Sequence, residues 1–574
     1  MDISILVYFF FASIFIPFIS TQNVIPPETQ HQIDLFISNV MNQQNVPALA
    51  ISIIKNNGEL LYKTGYGQRD RENRLPADSD TLFSIGSLTK SFTAVIAVKF
   101  LHENFPELGQ SVLDTPIRTL APSYDFVLGD RYRSGSVTFR DLLAHRVCYL
   151  PEYTGMWVQA YNDSREFFYR QRYSLNYCAF RNAYLYNNGL IAIAGDIIAH
   201  LANSTYEDML SDLLLSIGMT NTTWVKESDD HNNMMQRAVP YYWKDGVLNR
   251  YNPELMKGVV LVNAAGGILS SASDMMKYMQ FHLNLGQVGD NQIIPAEVMN
   301  WLYTPSSLIA SGTLKSEINP DSIINLNIAY GLCLDIGVYD GWLRIGHGGY
   351  LPPSESLMHL YPELGLGVFI AMSGPGTLRS TSMPNSWIQA QLFEILRGAI
   401  KQDVGRFDSF SNKIYTAAPL DLMPLADLSR ISTRNQDTNS QAKISPDEAV
   451  GTYGSGFNGE MIISFKNNSA GIPQLYWEYG KWGLAWLVQI SESNFSIDEW
   501  ASDFWMMYWA NQRGMTNLTL EFADMDNIRY LAEGAQGSTN FTRGLKIDDL
   551  PEVPWAPDSC ENKVVKPRSH TYTP

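Results

Sequence analysis

The chain contains 574 residues, which is too long for one ordinary hydrophobic core, so we expect two or more domains. Apolar residues make up 45% of the sequence and charged residues 17%, a composition typical of a folded globular protein. The net charge of −17 excludes nucleic acid and anionic lipid as expected partners, because a polyanion is repelled by both.

The N-terminus is a predominantly apolar run from Ile5 to Ile19. A bilayer span needs roughly 20 residues, so the shorter run predicts a secretory signal peptide over residues 1–21, with an uncleaved signal anchor as the alternative. No later segment of the sequence is long and apolar enough to span a membrane. We therefore expect a secreted, extracellular protein without a membrane partner.

Sequons and cysteines agree with secretion. Four cysteines allow three disulfide pairings. We expect Cys148–Cys178, because both flank elements placed near the candidate site, and the alternative is that one or more of the four, including Cys333 and Cys560, are buried thiols. Together with a signal peptide, seven Asn-x-Ser/Thr sequons predict a glycosylated surface. The sequons are Asn162, Asn203, Asn221, Asn467, Asn494, Asn517 and Asn540.

The first predicted elements after the signal are a helix over residues 32–44 and a hairpin over residues 47–70, with Asn57-Gly58 as its turn. A helix at Ser87 follows, and then a long helical and loop region to about residue 320. Residues 330–373 read as successive strands, and residues 387–400 as a helix. Both ends of this region supply strands, which predicts one sheet shared between them, with a helical insertion.

The C-terminal part has a different pattern. Residues 406–445 are predicted to be a linker, residues 446–545 a small β domain of alternating strands, and residues 546–574 a Pro-rich mobile tail. The aromatic side chains of the β domain either fill its core, which we favour, or stack on sugars. They include Trp477, Trp482, Trp486, Trp505 and Trp509.

The stretch FSIGSLTKSFTA places Ser87 and Lys90 three residues apart, on one face of the predicted helix. A serine hydroxyl becomes a nucleophile when a base takes its proton, and burial lowers the pKa of a lysine so that its neutral amine can be that base. The helix N-terminus adds a backbone N–H for a developing oxyanion. The alternative is a helix N-terminal serine and a lysine whose amine snorkels to solvent.

Two further motifs complete a candidate site. Tyr186-Asn187-Asn188 precedes an amphipathic helix, and it offers a phenol that can move protons and an amide that can orient a substrate. In RIGHGGY, His347 is followed by Gly348 and Gly349 on a strand, where glycines let a substrate approach the backbone closely.

The order Ser-x-x-Lys, Tyr-x-Asn, His-x-Gly resembles the serine β-lactamase and penicillin-binding-protein superfamily. The Tyr-x-Asn and His forms resemble class C β-lactamases and the β-lactamase-related serine hydrolases, in a secreted animal-type member. The segments VTFRDLLAH and NAAGGILSSASDMMKYM extend the resemblance over about residues 30–400. It implies an α/β (α+β) transpeptidase fold over residues 22–405, with an antiparallel sheet flanked by helices and a small C-terminal all-β domain.

The resemblance implies a role for each motif residue. Ser87 would be the acylated nucleophile, Lys90 its activator, Tyr186 the general acid/base, and Asn188 a substrate holder. His347 would position Tyr186 or a substrate carboxylate. The backbone N–H groups of Ser87 and Tyr350 would form the oxyanion hole, with Gly348 and Gly349 beside the substrate. No metal or organic cofactor is implied.

The sequence departs from the family in two loops. Arg146, Val147 and Cys148 replace the usual Thr-Ser-Gly, and Pro352-Pro353 follow the His-x-Gly strand. We therefore expect a secreted hydrolase that acts on a small acyl or peptide-like substrate. The alternative is an extracellular matrix protein, for example of mineralised shell, that reuses the fold and binds matrix components with little or no activity.

Overall fold

The computed structural model describes residues 25–56, 60–150, 153–309, 325–375, 383–400, 443–511, 518–532 and 539–550. The α-helices of these residues are α1 (Pro27–Gln44), α2 (Thr89–Asn104), α3 (Ile117–Leu120), α4 (Arg131–Ser136), α5 (Phe139–Leu143), α6 (Thr154–Trp157), α7 (Ser164–Arg170), α8 (Asn188–Leu201), α9 (Tyr206–Ile217), α10 (Asn263–Gly266), α11 (Ala272–Leu283), α12 (Ala296–Leu302), α13 (Met383–Ile400), α14 (Pro446–Ala449) and α15 (Phe504–Asn511).

The strands fall into a family-like N-terminal part and a C-terminal part. The first part contains β1 (Ala48–Lys55), β2 (Leu60–Asp70), β3 (Leu75–Pro76), β4 (Phe83–Ser84), β5 (Thr223–Trp224), β6 (Tyr241–Lys244), β7 (Val247–Arg250), β8 (Ile268–Ser270), β9 (Gln287–Val288), β10 (Asn291–Gln292), β11 (Ser307–Leu308), β12 (Asn325–Tyr330), β13 (Asp335–Tyr339), β14 (Trp342–Leu351), β15 (Ser354–Tyr361) and β16 (Leu366–Met372). The second part contains β17 (Gly451–Ser455), β18 (Gly459–Asn467), β19 (Pro473–Tyr479), β20 (Gly483–Gln489), β21 (Asn494–Trp500), β22 (Leu518–Phe522), β23 (Asn527–Ala532) and β24 (Thr539–Arg543).

One large sheet combines strands from both ends of the first part. Within the described residues its order is β11-β12-β13-β14-β15-β16-β1-β2-β3. The pairing of β1 with β16 is antiparallel, with Ile51 opposite Ile370, and β1 also pairs with β2. The predicted sheet shared between the two ends, with a helical insertion between them, is therefore confirmed.

The sheet is covered on both faces, which explains the continuous apolar run of β1. Ala48, Ala50 and Ile54 pack into the core on the α2 side. Leu49 and Ile51, which alternate with them, pack into the second core against α1 and α13. Because successive strand side chains point to opposite faces, a strand between two helical layers needs apolar residues at nearly every position.

Helix α2 is the central helix of the larger core. Its residues from Thr89 to Val98 are all buried, so it is enclosed around its circumference and not only along one stripe. A short 3₁₀ turn, Gly86–Leu88, precedes it. The predicted helix at Ser87 thus begins two residues later as an α-helix, and Ser87 itself lies in the turn.

The second part forms a closed eight-stranded barrel, β17 to β24, in the described residues 443–511, 518–532 and 539–550. Its strands alternate buried and solvent-facing residues, as in β22 and β18, which is the pattern expected of a barrel wall. Trp477 is fully buried in the barrel core, as the core-filling interpretation predicts. Trp505 instead packs against Tyr242 of β6, with ring centres 5.6 Å apart.

The barrel is docked on the segment that runs from α6 to the end of α7. The hydroxyl of Tyr161 donates to the backbone oxygen of Phe457 at 2.9 Å, and the Arg170 guanidinium donates to that of Gly456 at 3.0 Å. The backbone nitrogen of Lys481 donates to the oxygen of Val158 at 2.7 Å. Buried hydrogen bonds of this kind fix the two parts against each other.

The structure has the large antiparallel sheet, the helices and the separate C-terminal all-β barrel that were predicted. The domain boundaries stay predictions. The signal peptide, the Asn57-Gly58 turn, Asn517, Cys560, the side chain of Trp509, and most of the predicted linker and tail lie outside the described residues. Among the helices of the described ranges, none combines the length and apolarity that a membrane crossing requires.

Candidate active site

Ser87 is the one accessible residue in a buried stretch. Between Thr81 and Val98 every residue except Ser87 is buried. The preceding Gly86 has φ +49°, and a Cβ added there would lie 2.7 Å from the backbone nitrogen of Tyr350. Only glycine both adopts this backbone conformation readily and lets the strand approach so closely. The turn thus presents the Ser87 side chain to solvent while its backbone lies against β14.

Lys90 lies one turn further along, directly under Ser87. Its Nζ is 2.9 Å from Ser87 Oγ and donates to the backbone oxygen of Ala265 at 2.6 Å. The side chain has no exposure to solvent, so the snorkelling alternative is wrong. Burial lowers the pKa of Lys90 to about 7, because the charged amine loses its hydration, and the Cys333 thiol opposes the shift. A large fraction of the amine is therefore neutral near pH 7.

Tyr186 brings a second proton carrier to the same serine. Its hydroxyl is hydrogen-bonded to Ser87, and the Lys90 Nζ lies 4.8 Å from the centre of its ring. Burial raises the pKa of Tyr186 well above its usual value, although the bond to Ser87 acts in the opposite direction. The phenol is therefore protonated at neutral pH and can donate as well as accept.

Asn188 is the first residue of α8, and Asn187 caps the helix by accepting the N–H of Leu190 at 3.2 Å. The backbone nitrogen of Asn188 donates to the Tyr153 hydroxyl at 3.0 Å. The Oδ1 atom of Asn188 is buried and has no hydrogen-bond partner within the described residues. A buried acceptor without a partner is one that a substrate N–H would satisfy.

His347 lies on β14, near Tyr186. Its Nε2 is 2.9 Å from the Tyr330 hydroxyl, its Nδ1 bonds the oxygen of Gly348, and its ring centre is 6.2 Å from that of Tyr186. Burial, and then the charge of Lys90, lower the pKa of His347 to about 3. Since the imidazole is neutral at physiological pH, it carries no charge with which to bind a substrate carboxylate, and its position near Tyr186 favours the other predicted role.

Gly349 allows β14 to touch the turn that carries Ser87. A Cβ added to Gly349 would lie 1.8 Å from the backbone oxygen of Ile85, an impossible distance. Ser356 of β15 donates to the same oxygen at 2.8 Å. The next residue of the strand is Tyr350, so the two backbone segments predicted to form the oxyanion hole lie side by side.

Residues of the first two motifs thus meet at the Ser87 hydroxyl, and His347 of the third motif lies beside Tyr186. No cluster of three or more His, Cys, Asp or Glu side chains in the described ranges is arranged to hold a metal ion. Sequence reasoning missed three residues around Tyr186, namely Tyr153, Tyr330 and His145. His145 is the last residue of the family segment VTFRDLLAH, and its place in that segment could have identified it from the sequence.

The family model described as Beta-lactamase matches residues 33–392 of the chain. The protein belongs to the β-lactamase family. Its match covers the sheet, the helical region and all three motifs, and leaves the barrel outside. The serine β-lactamase and penicillin-binding-protein superfamily is thereby confirmed, whereas the class C and animal-type details stay predictions.

Curated relatives of this β-lactamase-family protein are distant. Unguisins hydrolase ungD' of Aspergillus campestris is 24% identical over 346 residues, 58% of this chain and 59% of that protein. A β-lactamase of Providencia stuartii is 23% identical over 257 residues, 44% of this chain and 60% of that enzyme. The alignments therefore span about three fifths of the length of these relatives.

Solved structures support the fold alone. The octameric penicillin-binding protein homologue from Pyrococcus abyssi aligns with a TM-score of 0.50 and 21% identity, over 89% of this chain and 100% of that one. The D-amino acid amidase from Ochrobactrum anthropi SV3 aligns with a TM-score of 0.51 and 21% identity, over 65% of this chain and 99% of that one.

The loop that departs from the family pattern is built into the core of this β-lactamase-family protein. Val147 is fully buried, and Arg146 forms an ion pair of 3.2 Å with the buried Asp141. Cys148 forms a disulfide with Cys178, which confirms the expected pairing, while Cys333 is a buried free thiol. The loop therefore replaces the usual Thr-Ser-Gly with a cross-linked structure.

Proposed function

We propose that this β-lactamase-family protein is a secreted serine hydrolase that cleaves an amide or ester through an acyl-enzyme on Ser87. The observation that carries the proposal is the Lys90 amine, which is fully buried and lies 2.9 Å from the one accessible side chain of its stretch. A nucleophile within hydrogen-bond reach of a base whose pKa is lowered towards 7 is the arrangement that acyl transfer requires.

Acylation begins when neutral Lys90 takes the Ser87 proton as Oγ attacks the substrate carbonyl. The amine keeps its hydrogen bond to the Ala265 oxygen throughout, so its orientation does not change. The carbonyl oxygen becomes an oxyanion, which the N–H groups of Ser87 and Tyr350 would stabilise. The site needs no metal or organic cofactor for this step.

Breakdown of the tetrahedral intermediate requires a proton on the leaving group. Tyr186, which stays protonated and is hydrogen-bonded to Ser87, would deliver it and regain a proton from Lys90. Water then attacks the ester of Ser87 in the reverse sense, and Ser87 recovers its proton as the acid is released. Asn188 would hold the substrate through its orphan Oδ1.

Amide or peptide-like compounds are the substrate class that we propose. Among the relatives, one is named a hydrolase of unguisins and one a D-amino acid amidase. The neutral state of His347 agrees with a site that recognises its substrate by hydrogen bonds and not by a histidine cation.

Secretion is proposed on the strength of the signal-like N-terminus, the disulfide and the sequons. Several sequon asparagines lie at exposed positions, where a glycan can be attached without unfolding: Asn162, Asn203, Asn467 and Asn540. Asn221 and Asn494 are half-buried. Mass analysis of glycopeptides from protein secreted by eukaryotic cells would test each position.

The function is tested by intact mass after exposure of the purified, deglycosylated protein to a fluorophosphonate and, separately, to a penicillin. We expect one fluorophosphonate adduct on the wild type and none on Ser87→Ala. Ser91→Ala is the matched control, because Ser91 lies on the next turn but bonds Leu88 and Tyr278 instead of Lys90, and it should label like the wild type.

A penicillin adduct that disappears with time would show that deacylation also operates. If the folded wild-type protein forms no adduct with either reagent, the hydrolase proposal is refuted. The non-catalytic extracellular role would then be favoured, with the three motifs as inherited features.

A further inference from the structure

Tyr186 is held from both sides by one residue, His145. The backbone oxygen of His145 accepts the N–H of Leu185 at 2.9 Å, and its Nδ1 accepts the N–H of Asn187 at 3.1 Å. Its ring centre lies 4.4 Å from that of Tyr186 itself. One residue therefore binds the N–H groups of both neighbours of Tyr186, one through its backbone oxygen and one through its imidazole, and its ring packs on that of Tyr186.

The His145 ring is suited to this role because it is neutral. A ring nitrogen that accepts a backbone N–H carries no proton, so the single proton of the ring belongs to Nε2. Complete burial, followed by the nearby charges of Lys90 and His347, lowers the pKa of His145 well below its usual value. Because protonation is disfavoured, the acceptor at Nδ1 persists throughout the working pH range.

The backbone of His145 has an unusual conformation at the point where it makes both contacts. Its φ of +56° is in the left-handed region, which residues other than glycine rarely adopt. The chain around it is anchored, since the Ser307 hydroxyl donates to the oxygen of Ala144 at 2.6 Å and the Cys333 backbone donates to that of Leu143 at 3.0 Å. An unusual backbone conformation that its surroundings impose, beside a reacting group, points to a functional constraint.

We propose that His145 is a positioning residue that holds the Tyr186 phenol in register with Ser87. The inference rests on the proposed function and adds a residue that touches neither substrate nor Ser87. Without the Nδ1 acceptor the Asn187 N–H would be buried and unpaired, and the segment would shift to find another partner. A displacement of about 1 Å at a proton-transfer group is enough to slow a reaction by about 10²-fold.

The test compares the second-order rate of Ser87 labelling by a penicillin in three variants, because the amide nitrogen that leaves needs the proton that Tyr186 delivers, whereas the fluoride of a fluorophosphonate needs none. His145→Phe keeps a ring but lacks the acceptor, and we expect a fall of about 10- to 100-fold. His145→Asn should recover to within about threefold of the wild type, because Asn Oδ1 takes the position of Nδ1 and asparagine tolerates positive φ. His145→Gly also lacks the acceptor and readily adopts the positive φ of this position, so it is used instead of His145→Phe if that variant does not fold.

His282→Phe is the matched control for loss of a buried imidazole. His282 is also buried with a lowered pKa, bonds Tyr303 through Nδ1 at 2.7 Å, and has an Nε2 without a partner in the described residues. It lies on α11, and Tyr186 is not among the aromatic rings that pack against it. The labelling rate of folded His282→Phe should equal that of the wild type, whatever its change in stability.

A double-mutant cycle with Tyr186→Phe separates the possible failures. If His145 acts through the phenol, His145→Phe should have little further effect once the Tyr186 hydroxyl is absent. Three outcomes would each overturn the positioning role of His145 and leave the proposed function standing: additive effects, an unaffected rate in His145→Phe, or no recovery in His145→Asn. A wild-type rate in Tyr186→Phe would instead refute the role of Tyr186 in the proposed function, and this inference with it.

Discussion

Burial of the Lys90 amine changes what a lysine can do in this protein. An exposed lysine is protonated at neutral pH and cannot accept a proton, whereas the buried amine, with a pKa near 7, can. The two oxygen atoms next to Nζ have different roles. The Ala265 oxygen orients the amine by accepting one of its hydrogens, and Ser87 Oγ supplies the proton that the lone pair of the amine removes.

The first prediction concerns pH. Because the pKa of Lys90 is lowered to about 7, its neutral form increases as pH rises through 7. The rate of Ser87 labelling should therefore rise about tenfold per pH unit below pH 7 and become constant above it. Labelling rates measured from pH 5 to 9 check this, and a rate independent of pH would contradict the role of Lys90.

Lys90→Arg provides the control for that profile. The guanidinium stays protonated at every pH in this range, so the variant should label about 10²- to 10⁴-fold more slowly. Its residual rate should lack the step near pH 7.

The identity of most of these residues could be predicted from the sequence, but some of their properties could not. Ser87, Lys90, Tyr186, Asn188 and His347 stand in short motifs, so their identity could be predicted from spacing and family resemblance. The neutral state of His347 could not, since it follows from burial and from the nearby Lys90 charge. The role of His145 depends on hydrogen bonds to residues about forty positions away, which no local pattern contains.

Strand β14 and the Gly86–Leu88 turn form the next level of organisation. The strand lies against the turn because two glycines, one on each side, remove the side chains that would separate them. Close approach of two backbones is the reason for which glycine is required in such places. The geometry of the predicted oxyanion hole is therefore set by the packing of two elements and not by any one side chain.

Gly349→Ala tests this packing. Its Cβ would lie 1.8 Å from the Ile85 oxygen, so β14 and the turn must separate. We expect a loss of about 1–3 kcal/mol in the free energy of unfolding, measured by urea titration. In Gly348→Ala the nearest atom, on Leu357, is at 3.7 Å, so its stability should change by less than about 0.5 kcal/mol. Equal effects in the two variants would contradict the close approach.

Across the whole molecule, the barrel and the β-lactamase-like part are joined by buried contacts near the candidate site. The Phe457 ring lies 6.1 Å from that of Phe167, and a Cβ added to Gly189, the residue after Asn188, would lie 3.2 Å from Phe167. The barrel is thus separated from the start of α8 by a single aromatic side chain. We therefore expect its docking to contribute to the stability of the molecule.

Tyr161→Phe tests the docking. The variant removes the hydroxyl that donates to the Phe457 oxygen at 2.9 Å and leaves that buried acceptor unpaired. We expect a loss of about 1–3 kcal/mol in the free energy of unfolding. The unfolding transition is measured by tryptophan fluorescence. Tyr132→Phe, whose side chain is 66% exposed, should change that free energy by less than about 0.5 kcal/mol. A Tyr161→Phe variant as stable as the wild type would contradict a stabilising interface.

The sequence by itself determined the local features: the continuous apolar run of β1, the alternation of β2, the helical period of α1, the two-part organisation, and the order of the three motifs. These depend on neighbours within a few positions, which a single chain displays directly. The tertiary structure decided the pairing of β1 with β16, the lowered pKa of Lys90, and the hold of His145 on both sides of Tyr186. Each of these joins residues distant in the chain, and their proximity and burial arise only when the whole fold has closed around them.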